Sequence, residues 1–76
     1  AGVSVKGRFE GMDLHVVATG VPMKRVELYD VSGALLTAVD TSENEIVIPT
    51  AAYTTRVYVA NVILANGSRA AVKLMR

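Results

Sequence analysis

The sequence predicts an all-β domain, and three observations carry that prediction. No stretch places apolar residues at i, i+3, i+4 and i+7 over three turns, so no amphipathic helix is expected. Valine and threonine are common, and both suit the pleated, half-buried surface of a strand. Turn signals recur at roughly eight- to twelve-residue spacing, as in a sandwich or barrel. Together they predict an immunoglobulin-like antiparallel β-sandwich of about seven strands, with a small barrel as the runner-up.

Residues 3–9 form the first strand, because Val3 and Val5 alternate with polar residues. Glu10-Gly11-Met12-Asp13 is a turn, and Leu14 to Ala18 is the second strand. Thr19, Gly20, Val21 and Pro22 end it, since proline has no N–H for the ladder. Arg25 to Tyr29 is the third strand, with Val26 and Leu28 on one face. Asp30-Val31-Ser32-Gly33 then suits a type I turn: the Asp30 carboxylate accepts a backbone N–H, and Gly33 takes a positive φ without a Cβ clash. Leu35 to Val39 returns as the fourth strand. After a turn at residues 41–44, Ile46 and Ile48 mark a short fifth strand that Pro49 closes. Residues 50–55 read either as a loop or as the start of a long strand.

Arg56 to Leu64 is a strand, and Asn66-Gly67 is the strongest hairpin signal in the chain. As a two-residue type I′ turn it pairs Ala65 with Ser68, Ile63 with Ala70, Asn61 with Val72 and Val59 with Leu74. Val59, Ile63, Val72 and Leu74 then share one face; Tyr58, Val62, Leu64, Ala71, Lys73 and Met75 share the other. Both faces are apolar, which leaves two arrangements. Either Tyr58, Val62 and Leu64 lie partly outside, as an apolar patch bordered by Arg69 and Lys73, or the hairpin is central and covered on both sides. The final strand is a candidate edge, with Lys73 and Arg76 as guards or as contacts for a receptor that adds a strand.

A chain of 76 residues is one domain, spanning residues 1–76. At this size only ~60% of the unfolded surface is buried, so the apolar core must carry the fold. There is no cysteine, which excludes disulfides and thiolate metal sites; His15 is the single histidine, which excludes a multi-histidine zinc site within one chain. The net charge of +1 argues against a dedicated nucleic-acid binder. Its distribution is uneven: residues 1–48 hold four basic and seven acidic residues, whereas residues 49–76 hold Arg56, Arg69, Lys73 and Arg76 and no acid. That basic end is either a solvated strand face or a surface that steers an acidic partner. No run reaches the ~20 apolar residues of a membrane-spanning helix. The opening AGVSVKG lacks a signal-peptide layout, so export would need a signal on a longer precursor.

Chemistry-bearing constellations are sparse. His15 lies in a strand with Asp13 on the same face, an acid–base pair in principle but more simply a strand histidine at a sheet surface. Glu43, Asn44 and Glu45 lack the glycine and the alternating acids of a calcium loop and read as a solvated turn. The glycines are scattered and form no phosphate cradle. Phe9, Tyr29, Tyr53 and Tyr58 read as packing residues, with stacking on a sugar or base as the alternative. The expectation is a non-catalytic domain with no cofactor and no metal.

Three segments resemble the type A C-terminal sorting domain of the bacterial type IX (Por) secretion system. VELYDVSGALL at residues 26–36 is similar to that family's strand–turn–strand hairpin with Tyr-Asp, Ser-Gly and a double leucine. VYVANV at residues 57–62, followed by Asn66-Gly67, resembles its tyrosine-bearing strand and glycine turn. VKLMR at residues 72–76 resembles its closing lysine-containing strand. Where the family has a glycine two residues before the strand tyrosine, this chain has Arg56, taking Tyr58 as the equivalent.

The resemblance implies a secretion address. The domain would cross to the periplasm on an N-terminal signal, be read by the outer-membrane translocon and its shuttle proteins, and be removed by a sortase that attaches the N-terminal cargo domain to the cell surface. The cut would fall near or before Ala1. On this reading the signal rests on Tyr58, Val62, Asn66, Gly67, Lys73, Leu74 and Arg76, some of them acting only through folding, and Asp30 and Gly33 form a structural turn. An exposed edge also admits a homodimer. The alternatives are a generic immunoglobulin-like structural or adhesion module of a secreted protein, and a carbohydrate-binding module using the tyrosines.

Overall fold

A computed structural model describes residues 2–76, so the expected cleavage position at Ala1 lies outside the described residues. Seven strands follow in order: β1 (Ser4–Glu10), β2 (Asp13–Thr19), β3 (Met23–Asp30), β4 (Leu35–Asp40), β5 (Glu45–Pro49), β6 (Val57–Leu64) and β7 (Arg69–Met75). The anticipated strands are all present, and the ambiguous residues 50–55 are a loop. β1, β2 and β5 form one antiparallel sheet, and β4-β3-β6-β7 is the order of the other. Lettered in chain order, the sheets are ABE and DCFG. This is the immunoglobulin-like sandwich, with the fourth strand beside the third rather than beside the fifth as in constant-type domains.

Period-two alternation builds the core. β6 alternates half-buried with buried residues along its whole length, and β2 buries Leu14, Val16 and Ala18 on one face. Met23, Val26 and Leu28 of β3, Ile48 of β5, and Tyr58, Ala60, Val62 and Leu64 of β6 complete the cluster. Each large apolar side chain so enclosed stabilises the fold by ~1.5–3 kcal/mol. The edge strands β1 and β7 bury their inner residues only in part. They meet where Leu74 of β7 lies over Gly7 of β1; a Cβ on Gly7 would sit 2.9 Å from Leu74 Cδ1.

The turns set the registers. Gly11, at φ 59°, and Met12 link β1 to β2 in the type II′ manner, with glycine at the first central position. The Asp30 turn forms as expected: the Gly33 N–H donates to the Asp30 carbonyl at 3.1 Å, and Gly33 has φ 89°. Asp30 Oδ1 also accepts from Ser32 N at 2.9 Å, Ser32 Oγ at 2.6 Å and Ala34 N at 3.0 Å.

The β6–β7 turn differs from expectation. Gly67 N–H donates to the Leu64 carbonyl at 2.9 Å, and Leu64 N–H donates to the Ser68 carbonyl at 2.8 Å. Only the glycines have positive φ among the described residues, so Asn66 cannot take the type I′ conformation, which needs positive φ at both central positions. The loop is a three-residue type I turn with Gly67, at φ 87°, in the left-handed position, matching the hydrogen-bond pattern of the Asp30 hairpin. The pairs are therefore Ile63–Arg69, Asn61–Ala71, Val59–Lys73 and Tyr58–Leu74. A one-residue shift exchanges the faces of a strand. Neither of the two arrangements holds: Tyr58, Val62 and Leu64 are 0%, 0% and 2% exposed rather than partly outside, and β7 is an edge strand with one face exposed rather than covered on both sides. Val59 and Ile63 take the outer face, whereas Ala71, Lys73 and Met75 stay outside as expected.

Candidate recognition surface

The residues of the last hairpin divide into an inner set and an outer set. Tyr58 and Val62 are fully buried, and Leu74 packs partly buried against the core. Asn66 and Gly67 are exposed at the turn, where Asn66 Oδ1 accepts the Ser68 N–H at 2.9 Å. Lys73 is exposed on the outer face. Arg76 is half-buried.

Tyr58 forms a tyrosine corner. It stands near the start of β6, and its hydroxyl donates to the Thr55 carbonyl, three residues upstream, at 2.8 Å. Its ring contacts Phe9 with centroids 5.5 Å apart. Arg76 closes over this corner. One guanidinium nitrogen donates to Tyr58 Oη at 2.9 Å, to the Thr50 carbonyl at 2.8 Å and to Thr50 Oγ1 at 3.1 Å. The other donates to the Tyr53 carbonyl at 3.2 Å, and the carbon between them lies 5.7 Å from the centre of the Tyr58 ring. Thr50, fully buried, passes the chain of bonds on by donating Oγ1–H to the Met12 carbonyl. The guanidinium therefore ties the end of β7 to the 50–55 loop, the start of β6 and the β1–β2 turn. Neither Thr50 nor Tyr53 has a local sequence signal for this role, because their partners lie 23 to 38 residues away.

On the outer face of the four-stranded sheet, Val57, Val59 and Ile63 of β6 are half-buried beside Arg69, Ala71, Lys73 and Met75 of β7. Met75 is 75% exposed. An apolar centre with a basic rim is thus present, built from Val57, Val59 and Ile63 in place of Tyr58, Val62 and Leu64. Next to it, Glu27 Oε1 accepts from Asn61 Nδ2 at 3.1 Å and Tyr29 Oη at 3.2 Å, and Oε2 accepts from Arg25 Nε at 3.3 Å. The Asn61 amide, then the Arg25 guanidinium, hold the Glu27 carboxyl below its ordinary range. Apart from the Tyr58 hydroxyl, Asn61 is the one polar side chain in the strand VYVANVIL, and that is the sequence signal that marks the outer face.

The other sheet carries His15 on its outer face, opposite Arg8. The carboxylates that approach its ring are Glu10, at 3.4 Å from Nε2, and Glu45, at 3.6 Å from Nδ1, rather than Asp13. A shallow groove of about 280 Å³ runs beside it, lined by Lys6, Gly7, Arg8, His15 and Val17. Of the suggested calcium ligands, the Asn44 side chain instead donates to the Ala18 carbonyl at 3.1 Å. Among the described residues, no three His, Asp or Glu side chains converge on a point where a metal could bind. No protein-family model matches the chain, and a search of curated proteins finds no match.

Proposed function

We propose that the domain is a non-catalytic sorting module, recognised by a type IX outer-membrane translocon and its shuttle proteins while it carries an N-terminal cargo through the periplasm to the cell surface, where a sortase removes it. The observation that supports this reading is where the three resembling segments sit. Residues 26–36 are most of β3, its turn and the start of β4; residues 57–62 are most of β6; residues 72–76 are the end of β7 and Arg76. They are the four strands of one sheet, which offers a receptor a continuous face. In this reading Tyr58, Val62, Leu74 and Arg76 act by holding the sheet together, and Lys73, with Asn66 and Gly67 at the turn, is what a receptor meets.

The test is transfer. Residues 1–76 are fused to a fluorescent protein bearing a periplasmic signal, in cells with the type IX machinery. Translocon-dependent reporter outside the cell is the expected result. Periplasmic retention of a folded fusion would refute the proposal and favour a structural or adhesion module. Deletion of residues 72–76 is a poor control, because it removes Leu74 and Arg76 from the fold. Lys73→Glu, which alters only an exposed position, is the better one.

A further inference from the structure

The four sheet edges are not equally protected. β5 is five residues long and ends in Pro49. β4 has a register shift opposite Leu28 and Tyr29 and ends at Asp40. β1 carries both signs of charge on its exposed face, at Lys6, Arg8 and Glu10. Short strands, bulges and charges are the usual devices against unwanted strand pairing. β7, like β1, is seven residues long and pairs without a register shift, but its exposed charges, Arg69 and Lys73, are both positive.

The hydrogen bonds at the two ends of the hairpin fix which backbone groups face this edge. Leu64 N–H donates to the Ser68 carbonyl, and Arg76 N–H donates to the Arg56 carbonyl at 2.7 Å. In an antiparallel ladder such bonded pairs alternate with unbonded ones. Ala70, Val72 and Leu74 therefore point their N–H and C=O groups at β6, and Ala71 and Lys73 point theirs at the open edge. β1 approaches β7 through the packing of Leu74 over Gly7.

We infer that β7 is a docking edge for an acidic extended segment of another protein, which adds as a fifth strand to the sheet β4-β3-β6-β7. The backbone groups of Ala71 and Lys73 hold the strand, and Arg69 and Lys73 select its charge. Charge complementarity also decides against a second copy as the occupant. Antiparallel pairing of β7 with itself about Ala71 would set Arg69 opposite Lys73 of the copy, and in other registers the four cations of the two strands still crowd one edge, which like-charge repulsion disfavours. The inference rests on sheet geometry and charge alone, and it stands or falls apart from the secretion reading.

The probe is a labelled synthetic peptide of alternating glutamate and valine, with a lysine–valine peptide as control, titrated by fluorescence anisotropy into the intact domain. The acidic peptide is expected to bind, to weaken as salt rises, and to slow hydrogen exchange at the Ala71 and Lys73 amides. Ala71→Pro removes an edge donor without taking a bond from the β6–β7 ladder and should weaken binding ~10-fold or more. Arg69→Glu with Lys73→Glu, which leaves every backbone group in place, should transfer preference to the lysine–valine peptide. The inference is overturned if the acidic peptide fails to bind, if both peptides bind the wild type equally, if the double charge reversal leaves the preference unchanged, or if sedimentation shows β7-dependent dimers instead.

Discussion

Replacing Tyr58 by phenylalanine isolates the corner from the core. The ring stays, and with it the Phe9 contact at 5.5 Å, so little apolar burial is lost. What goes is one hydroxyl that donates to the Thr55 carbonyl at 2.8 Å and accepts from Arg76 at 2.9 Å. Leaving a fully buried acceptor without its donor costs about 1–3 kcal/mol, which is an upper range for the half-buried Thr55. Arg76 retains the Thr50 and Tyr53 carbonyls, so its own loss is partial. A total near ~2 kcal/mol follows, and for a domain of this size that lowers Tm by roughly 8–16 °C. Thermal and urea unfolding of both proteins measure it, with an unchanged urea m-value showing that the unfolded reference is the same. Adding Arg76→Met completes a double-mutant cycle, and residues in one hydrogen-bonded network should couple by about 0.5–3 kcal/mol. A Tyr58→Phe melt superimposable on wild type would refute the reasoning, because the hydroxyl would then contribute nothing and the tyrosine would be only a filler of the core.

Three further outcomes are expected. Gly67→Val should destabilise by about 1–2 kcal/mol, since a β-branched residue resists the left-handed φ of 87°; Gly67→Asn should be milder, and a melt in which valine and asparagine perform alike would contradict the turn geometry. Gly7→Ala pushes a methyl group against the flexible end of Leu74 and should cost roughly 1 kcal/mol, at the low end of overpacking penalties. Leu74→Val should recover part of that loss, and strict additivity of the two changes in chemical denaturation would count against the contact. Glu27, held down by Asn61 and Arg25, and Asp30, held down by the Ser32 hydroxyl and the Ala34 N–H, both have folded values below their ordinary 4.5 and 3.8. Their stabilisation is present above those ordinary values and disappears as pH falls through the lowered ones. Glu27→Gln should flatten the acid limb of a Tm-against-pH curve; an unchanged slope would show that the Asn61 contact does not form in solution.

The succession of seven strands along the chain, the turn positions and the sandwich class were legible in the sequence because they rest on local chemistry, whereas which strands share a sheet was not read from it. Pro22 and Pro49 interrupt ladders, Asp30 and Gly33 fit a type I turn, and the alternation around Leu14, Val26 and Ile48 gives each strand an inner face. The acceptor role of Asp30 could be read in the same way, since its donors lie two and four residues along the chain. What local chemistry left open was the register of the last hairpin. Asn66-Gly67 fits a type I′ turn as readily as the last two positions of a type I turn with glycine left-handed, and the two differ by one residue. Apolar alternation did not choose between them, because β6 carries large apolar residues on both faces and Asn61 is the single residue that marks one of them as outer. The tertiary structure decides it: Tyr58 opposite Leu74 fills the space over Phe9 and Gly7, and Asn61 turns out to meet Glu27, whereas the other register would bury Asn61 and expose Tyr58. Arg76, Thr50 and Tyr53 belong to the same class. Their bonds join segments far apart in the chain, and only the packing of two sheets brings those segments within reach of one guanidinium.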